Sequence, residues 1–149
     1  MLILNFMTRQ IFIASDHAGV RLKTVVVHFL RAKNEDVQDL GPQTEDSIDY
    51  PDRANAVCAA LHKNPDSLGI LLCGSGIGMS IAANRHRHIR AALVYSEEFA
   101  RLARLHNNAN VLVLGARVIS EAVALRLLEV FLGTEFEGGR HARRVEKLG

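Results

Sequence analysis

Short apolar runs alternate with amphipathic stretches along the chain. Gln10–Ser15 reads as a first strand. Val20–Ala32 follows as a helix with Leu22, Val25, Val26, Phe29 and Leu30 on one face. Asp36–Leu40 reads as a short second strand ended by Gly41-Pro42, and Gln43–Asp49 is polar and loop-like. Pro51–Lys63 carries the helical stripe Ala54, Val57, Cys58 and Leu61, closed by Asn64-Pro65. The third strand is Leu68–Cys73, and a third helix runs from about Ile77 to Asn84. Arg90–Tyr95 reads as the fourth strand. Ser96 then caps a helix with Glu97 and Glu98 in its first turn, reaching about His106. Asn110–Gly115 is the fifth strand, and Ser120 opens a long helix to Leu132 that Gly133 stops.

Five βα repeats with mostly apolar strands predict an α/β fold. The expectation is one doubly wound, Rossmann-like domain over residues 1–149, with a five-stranded parallel sheet and helices on both faces. Sheets of this kind often run in the order 2-1-3-4-5. Residues 1–8 are expected to be a peripheral extension; they lack the basic start and small-residue cleavage site of a signal peptide.

Composition narrows the classes. The chain has 149 residues, 48% of them hydrophobic, enough for a proper core. A net charge of +2 does not argue for nucleic acid, and no run approaches the roughly 18 apolar residues of a membrane span. Two cysteines, Cys58 and Cys73, are no disulfide framework, which points to a reduced, cytoplasmic setting.

Open α/β sheets place ligands at the carboxyl ends of their strands. Asp16-His17-Ala18-Gly19 follows strand one, and Asp49-Tyr50-Pro51 follows strand two and its loop. Cys73 and the turn Gly74-Ser75-Gly76-Ile77-Gly78 follow strand three. Ser96, Glu97 and Glu98 follow strand four, and Gly115-Ala116-Arg117 follows strand five. Acid, imidazole, thiol and guanidinium are therefore expected on one edge. The turn lacks the Gly-Lys-Ser/Thr of a nucleotide P-loop, and it follows the third strand where a dinucleotide fingerprint follows the first. Its N–H groups suit an oxyanion or phosphate.

Plainer readings stand beside these. Cys73 could be a buried structural thiol, as Cys58 on its helical stripe is expected to be. The glycines could serve close packing, and Asp16 could cap the first helix. His106-Asn107-Asn108 could be a helix end or could supply a general acid–base histidine. Arg140, His141, Arg143 and Arg144 could be a solvated basic tail or could hold phosphate. The Arg85-His86-Arg87-His88 run lacks further ligands at metal spacing, so no metal is expected.

Taken together, Ser15–Gly19, Asp49-Tyr50-Pro51, Cys73–Gly78, Ser80–Asn84, His106–Leu112, Gly115–Val118 and Glu137–His141 resemble the type B ribose-5-phosphate isomerase family. That family also includes galactose-6-phosphate and allose-6-phosphate isomerases. The resemblance implies a cofactor-free aldose–ketose isomerase interconverting ribose 5-phosphate and ribulose 5-phosphate through an enediolate, or acting on a six-carbon sugar phosphate. It implies Cys73 as the proton-transferring base, with Gly74, Ser75, Gly76, Ile77 and Gly78 around the enediolate. It assigns ring opening to His106 with Asp16 assisting, and phosphate to His17, Arg117, Arg140 and Arg144. Tyr50 and Asn107 would line the pocket. It further implies a homodimer, or a dimer of dimers, with sites shared between chains. A phosphate- or nucleotide-binding domain without catalysis is the alternative from another class.

Overall fold

The Leu68–Cys73 strand (β3) is buried at every residue and lies at the centre of a five-stranded sheet. The computed structural model describes residues 9–149, so the peripheral extension expected for residues 1–8 lies outside the described residues. The other strands are Gln10–Ser15 (β1), Asp36–Asp39 (β2), Ala91–Leu93 (β4) and Val111–Gly115 (β5). All pairings are parallel, in the order β2-β1-β3-β5-β4. The helices are Val20–Ala32 (α1), Tyr50–Lys63 (α2), Ile77–Ala83 (α3), Glu97–Asn107 (α4), Glu121–Leu132 (α5) and Arg140–Glu146 (α6).

The order departs from 2-1-3-4-5 in one respect: β5 lies between β3 and β4. Burial explains the exchange. Every residue of β5 is buried, as an inner strand requires, whereas Ala91, Ala92 and Leu93 of β4 are only half-buried. β4 is also shorter than the six residues its apolar run suggests. Arg90 turns into the neighbouring loop, its Nε donating to the Asn108 carbonyl at 2.9 Å, and Tyr95 turns toward the β3 loop.

Right-handed crossovers decide which face each helix covers. Steps toward β2, and from β4 back to β5, put α1 and α4 on one face. Steps in the other direction put α2 and α3 on the opposite one. The core divides accordingly. Ile11, Ile13, Ile70, Leu72, Leu112 and Leu114 pack with α1, α4 and α5. Phe12, Ala14, Leu71, Cys73 and Val113 pack with α2 and α3.

The chain leaves β1 in one direction and β3 in the other. The crevice beyond their carboxyl ends is therefore a switch point, where such sheets hold ligands. At the β2 edge, a polar strand is tied down by charge. Lys23 of α1, 1% exposed, meets both oxygens of Asp39 at 2.7 Å. Among the described residues no helix is long and apolar enough to cross a membrane.

Candidate active site

Cys73 ends β3 with 4% of its surface exposed, and the chain turns at once around its sulfur. The Gly76 N–H donates to Cys73 Sγ at 3.1 Å. Gly76 has φ +83, in the left-handed region that favours glycine, and a Cβ there would run into the Leu93 side chain. Ser75 Oγ accepts the Ile77 N–H at 3.2 Å, and α3 begins. Gly78 gives room for the Tyr50 ring, which a Cβ at that position would meet at 2.6 Å. The thiol thus sits beside a turn of backbone donors, roofed on one side by an aromatic ring.

Neighbouring loops converge on this turn. Asp16 follows β1, its N–H bonded to the Leu72 carbonyl at 3.0 Å. Its Oδ1 accepts from Ala18 N at 2.9 Å and Gly19 N at 3.2 Å, so the capping reading of Asp16 is realised in a short 3₁₀ turn. His17 is the next residue, and its Nδ1 faces the Ile48 N–H at 3.4 Å, which leaves Nε2 as the free ring nitrogen. Arg117 is pinned by its N–H to the Gly74 carbonyl at 2.9 Å, and its side chain runs along Gly74, 3.2 Å from where a Cβ would be. Asp16, His17, Tyr50, Cys73, the turn and Arg117 therefore share one edge, as the loop pattern predicts. Glu97 and Glu98 are engaged elsewhere. Glu97 accepts from Arg126 at 3.0 Å and Glu98 from Arg101 at 2.7 Å, so both carboxylates are engaged by arginines of the helices.

His106, Asn107, Arg140 and Arg144 are not brought to that edge. α4 starts after the carboxyl end of β4 and runs back, and its eleven residues span about 16 Å. His106 and Asn107 consequently lie toward the amino ends of the strands, where α6 carries Arg140 and Arg144. There the His106 and His141 rings stack at 4.2 Å, 14° apart. Glu137 Oε2 stands 3.8 Å from His106 Nε2 and 3.6 Å from His141 Nε2. Burial lowers the pKa of His141, aided by the charges of His106, Arg140 and Arg144, against the pull of Glu137.

Donor atoms of His106, Glu137 and His141 lie within 4.8 Å of one another, a grouping capable of ligation. Both imidazoles stand beyond hydrogen-bond distance of the carboxylate, and His141 Nε2 is buried without a hydrogen-bond partner.

Cys58 behaves as the core thiol its stripe implies. It is fully buried against Ala83, and burial pushes its pKa up to about 11. The sequence pattern missed Glu137 and Tyr95. Glu137 sits in a polar segment with no periodicity. Tyr95 reads as the end of a strand, yet its hydroxyl donates to the Ser75 carbonyl.

A family model described as Ribose/Galactose Isomerase matches residues 11–148. A Mycoplasma genitalium protein named probable ribose-5-phosphate isomerase B is 47% identical over 144 residues, 95% of each chain. Ribose-5-phosphate isomerase B of Escherichia coli is 39% identical over 140 residues, 94% of each. The crystal structure of a Thermotoga maritima ribose 5-phosphate isomerase superposes with a TM-score of 0.92 at 51% identity, covering 94% of this chain and 97% of that one. The Mycoplasma genitalium enzyme with bound ribulose-5-phosphate superposes with a TM-score of 0.91 at 46% identity, covering 95% of this chain and 94% of that one.

Proposed function

The chain belongs to the ribose/galactose isomerase family, and from that membership we propose that it is an aldose–ketose isomerase interconverting D-ribose 5-phosphate and D-ribulose 5-phosphate. The observation that carries the reading is the Cys73 sulfur held by the Gly76 N–H at the mouth of a donor-lined turn. It acts as one domain.

The chemistry follows from the groups. The open-chain aldose presents an acidic C2–H beside its C1 carbonyl. Cys73 thiolate takes that proton, the electron pair moves into a C1–C2 double bond, and negative charge develops on O1. The O2 hydroxyl proton passes to O1, the thiol returns its proton to C1, and O2 becomes the ketose carbonyl. Only the intermediate carries the full oxyanion. Fixed N–H donors of the 74–78 turn therefore bind it more strongly than substrate, each contributing roughly 3–4 kcal/mol where such donors have been removed elsewhere. His106 gives a proton to the ring oxygen during opening, with Asp16 assisting. His17, Arg117, Arg140 and Arg144 hold the phosphate, and grip on that remote group positions the reacting end. Tyr50 and Asn107 bound the pocket, which sets the length of sugar accepted.

These roles need two copies of the chain. Ile77, Ile81, Tyr95 and Phe99 leave large apolar surfaces exposed around the turn, the kind of patch that a second subunit covers. A homodimer, alone or paired as a dimer of dimers, would bring the partner's His106, Asn107, Arg140 and Arg144 to Cys73. The cytoplasm is the setting that suits two free thiols.

The test is a panel of ribose 5-phosphate, allose 6-phosphate and galactose 6-phosphate, run on the parent and on Cys73→Ala. The expected outcome is highest kcat/KM on the five-carbon sugar, with kcat in the variant reduced at least about a hundredfold and binding retained. Unchanged turnover in Cys73→Ala would remove the thiol from the reaction. A six-carbon sugar with the higher kcat/KM would move the assignment within the family.

A further inference from the structure

Tyr95, at the carboxyl end of β4, donates its hydroxyl proton to the Ser75 carbonyl. That oxygen belongs to the peptide unit joining Ser75 to Gly76. The opposite corner of the same planar unit is the Gly76 N–H, which donates to Cys73 Sγ at 3.1 Å. Hydroxyl, carbonyl, amide and sulfur are therefore one continuous hydrogen-bonded chain. A proton donated to the carbonyl oxygen draws density from the amide nitrogen, and the N–H becomes a stronger donor in turn.

The hydroxyl also fixes which way this peptide faces. A rotation by half a turn would take the N–H away from the sulfur and present the carbonyl oxygen to it instead. Ser75-Gly76 is a place where such a flip is sterically cheap, because glycine tolerates both signs of φ. Gly115 completes the seat on the β5 side. A Cβ there would stand 2.6 Å from the Ser75 oxygen and 3.2 Å from the Tyr95 hydroxyl, so a side chain would displace both.

We propose that Tyr95 is a positioning residue for Cys73, acting through the Ser75–Gly76 peptide to keep an N–H aimed at the sulfur. For the isomerase this deepens, and rests on, the reading of Cys73 as the proton-transferring base. The device itself is a property of the thiol and can be read without any sugar.

The experiment is Tyr95→Phe, which removes one oxygen from a side chain that is 42% exposed. Alkylation of Cys73 by iodoacetamide is followed by mass spectrometry, with Cys58 as the inert internal reference. At pH 7 the rate should fall about three- to tenfold, the range covered by one hydrogen bond of modest net strength. The gap should close near pH 10, where a thiol ionises with or without the extra donor. The Gly76 amide proton should move upfield in the variant, and kcat should fall by a similar factor with KM within about twofold. Equal alkylation rates at pH 7 would overturn the proposal. So would a loss of the same size at both pH values, because that is the mark of a collapsed turn. If Cys73→Ala keeps its turnover, the base reading falls, and the Tyr95→Phe alkylation result still decides the positioning role.

Discussion

At the scale of single residues, the site depends on side chains that are missing as much as on those present. Gly76 combines two demands: φ of +83, and no room between its Cα and the Leu93 side chain. An alanine there would pay roughly 1–2 kcal/mol for the left-handed backbone alone. It would also push the turn away from Gly115 N, 3.3 Å from where its Cβ would lie. Gly76→Ala is therefore expected to lower stability by at least that amount in urea unfolding, and to cut kcat at least tenfold, since the N–H on the sulfur moves with the turn. A variant with parental kcat would show that the geometry of this peptide is not used. The glycine turn after β3 is legible in the sequence, because an apolar run ending in closely spaced glycines marks a strand end, while the spacing alone leaves structural readings of Cys73 and the glycines open. Tyr95 is not legible. Its hydroxyl acts on a carbonyl twenty positions earlier, across a sheet whose strand order has no signature in the chain.

At the scale of elements, the helical stripes and strand ends were readable to within a residue or two, because each helix buries one face and each inner strand buries both. β2 is the exception that needs a different explanation. Its residues Asp36-Val37-Gln38-Asp39 alternate between exposed and half-buried, and apolar burial alone does not hold it. Its place is secured by Lys23 reaching out from α1. Burial pushes the Asp39 carboxyl up, but hydrogen bonds from Lys23, the Gly41 N–H and Gln43, with the charge of Lys23, outweigh it and hold the group below its ordinary value. A depressed carboxyl contributes stability above its unfolded value of 3.8 and loses it as pH falls through the lower folded value. Asp39→Asn strands a lysine that is 1% exposed, at a cost of about 3 kcal/mol near neutral pH. Urea unfolding of parent and variant should differ by that amount at pH 7, and the difference should shrink as pH falls below 3.8 toward the lower folded value. A difference that stays constant with pH would mean that the ion pair is not what ties β2 to α1.

At the scale of the whole molecule, the direction of α4 separates the proposed acid from the proposed base. A helix that leaves the carboxyl edge of a parallel sheet must end near the amino edge before the next strand can start. His106 is therefore carried away from Cys73 by the same topology that brings Asp16, His17 and Arg117 to it. Glu137 and α6, with Arg140 and Arg144, are fastened at that far end, the Glu137 N–H bonding to the Leu105 carbonyl at 3.0 Å. On the proposed roles, each copy would hold two half-sites at opposite ends of its sheet, with exposed Ile77, Ile81 and Phe99 beside the Cys73 end. Sharing between subunits has a consequence that no single-chain site can imitate. Cys73→Ala and His106→Asn should each abolish turnover when pure. In a two-fold dimer formed from both, one site collects both defects and the other collects neither. Random pairing makes half the dimers mixed, so about a quarter of the parental activity should return. Co-refolding the two variants and assaying ribose 5-phosphate isomerisation measures it. Activity that stays at the level of the separate variants would place both residues in sites confined to one chain, and α4 would then have to carry His106 to Cys73 by a rearrangement its packing against α5 opposes.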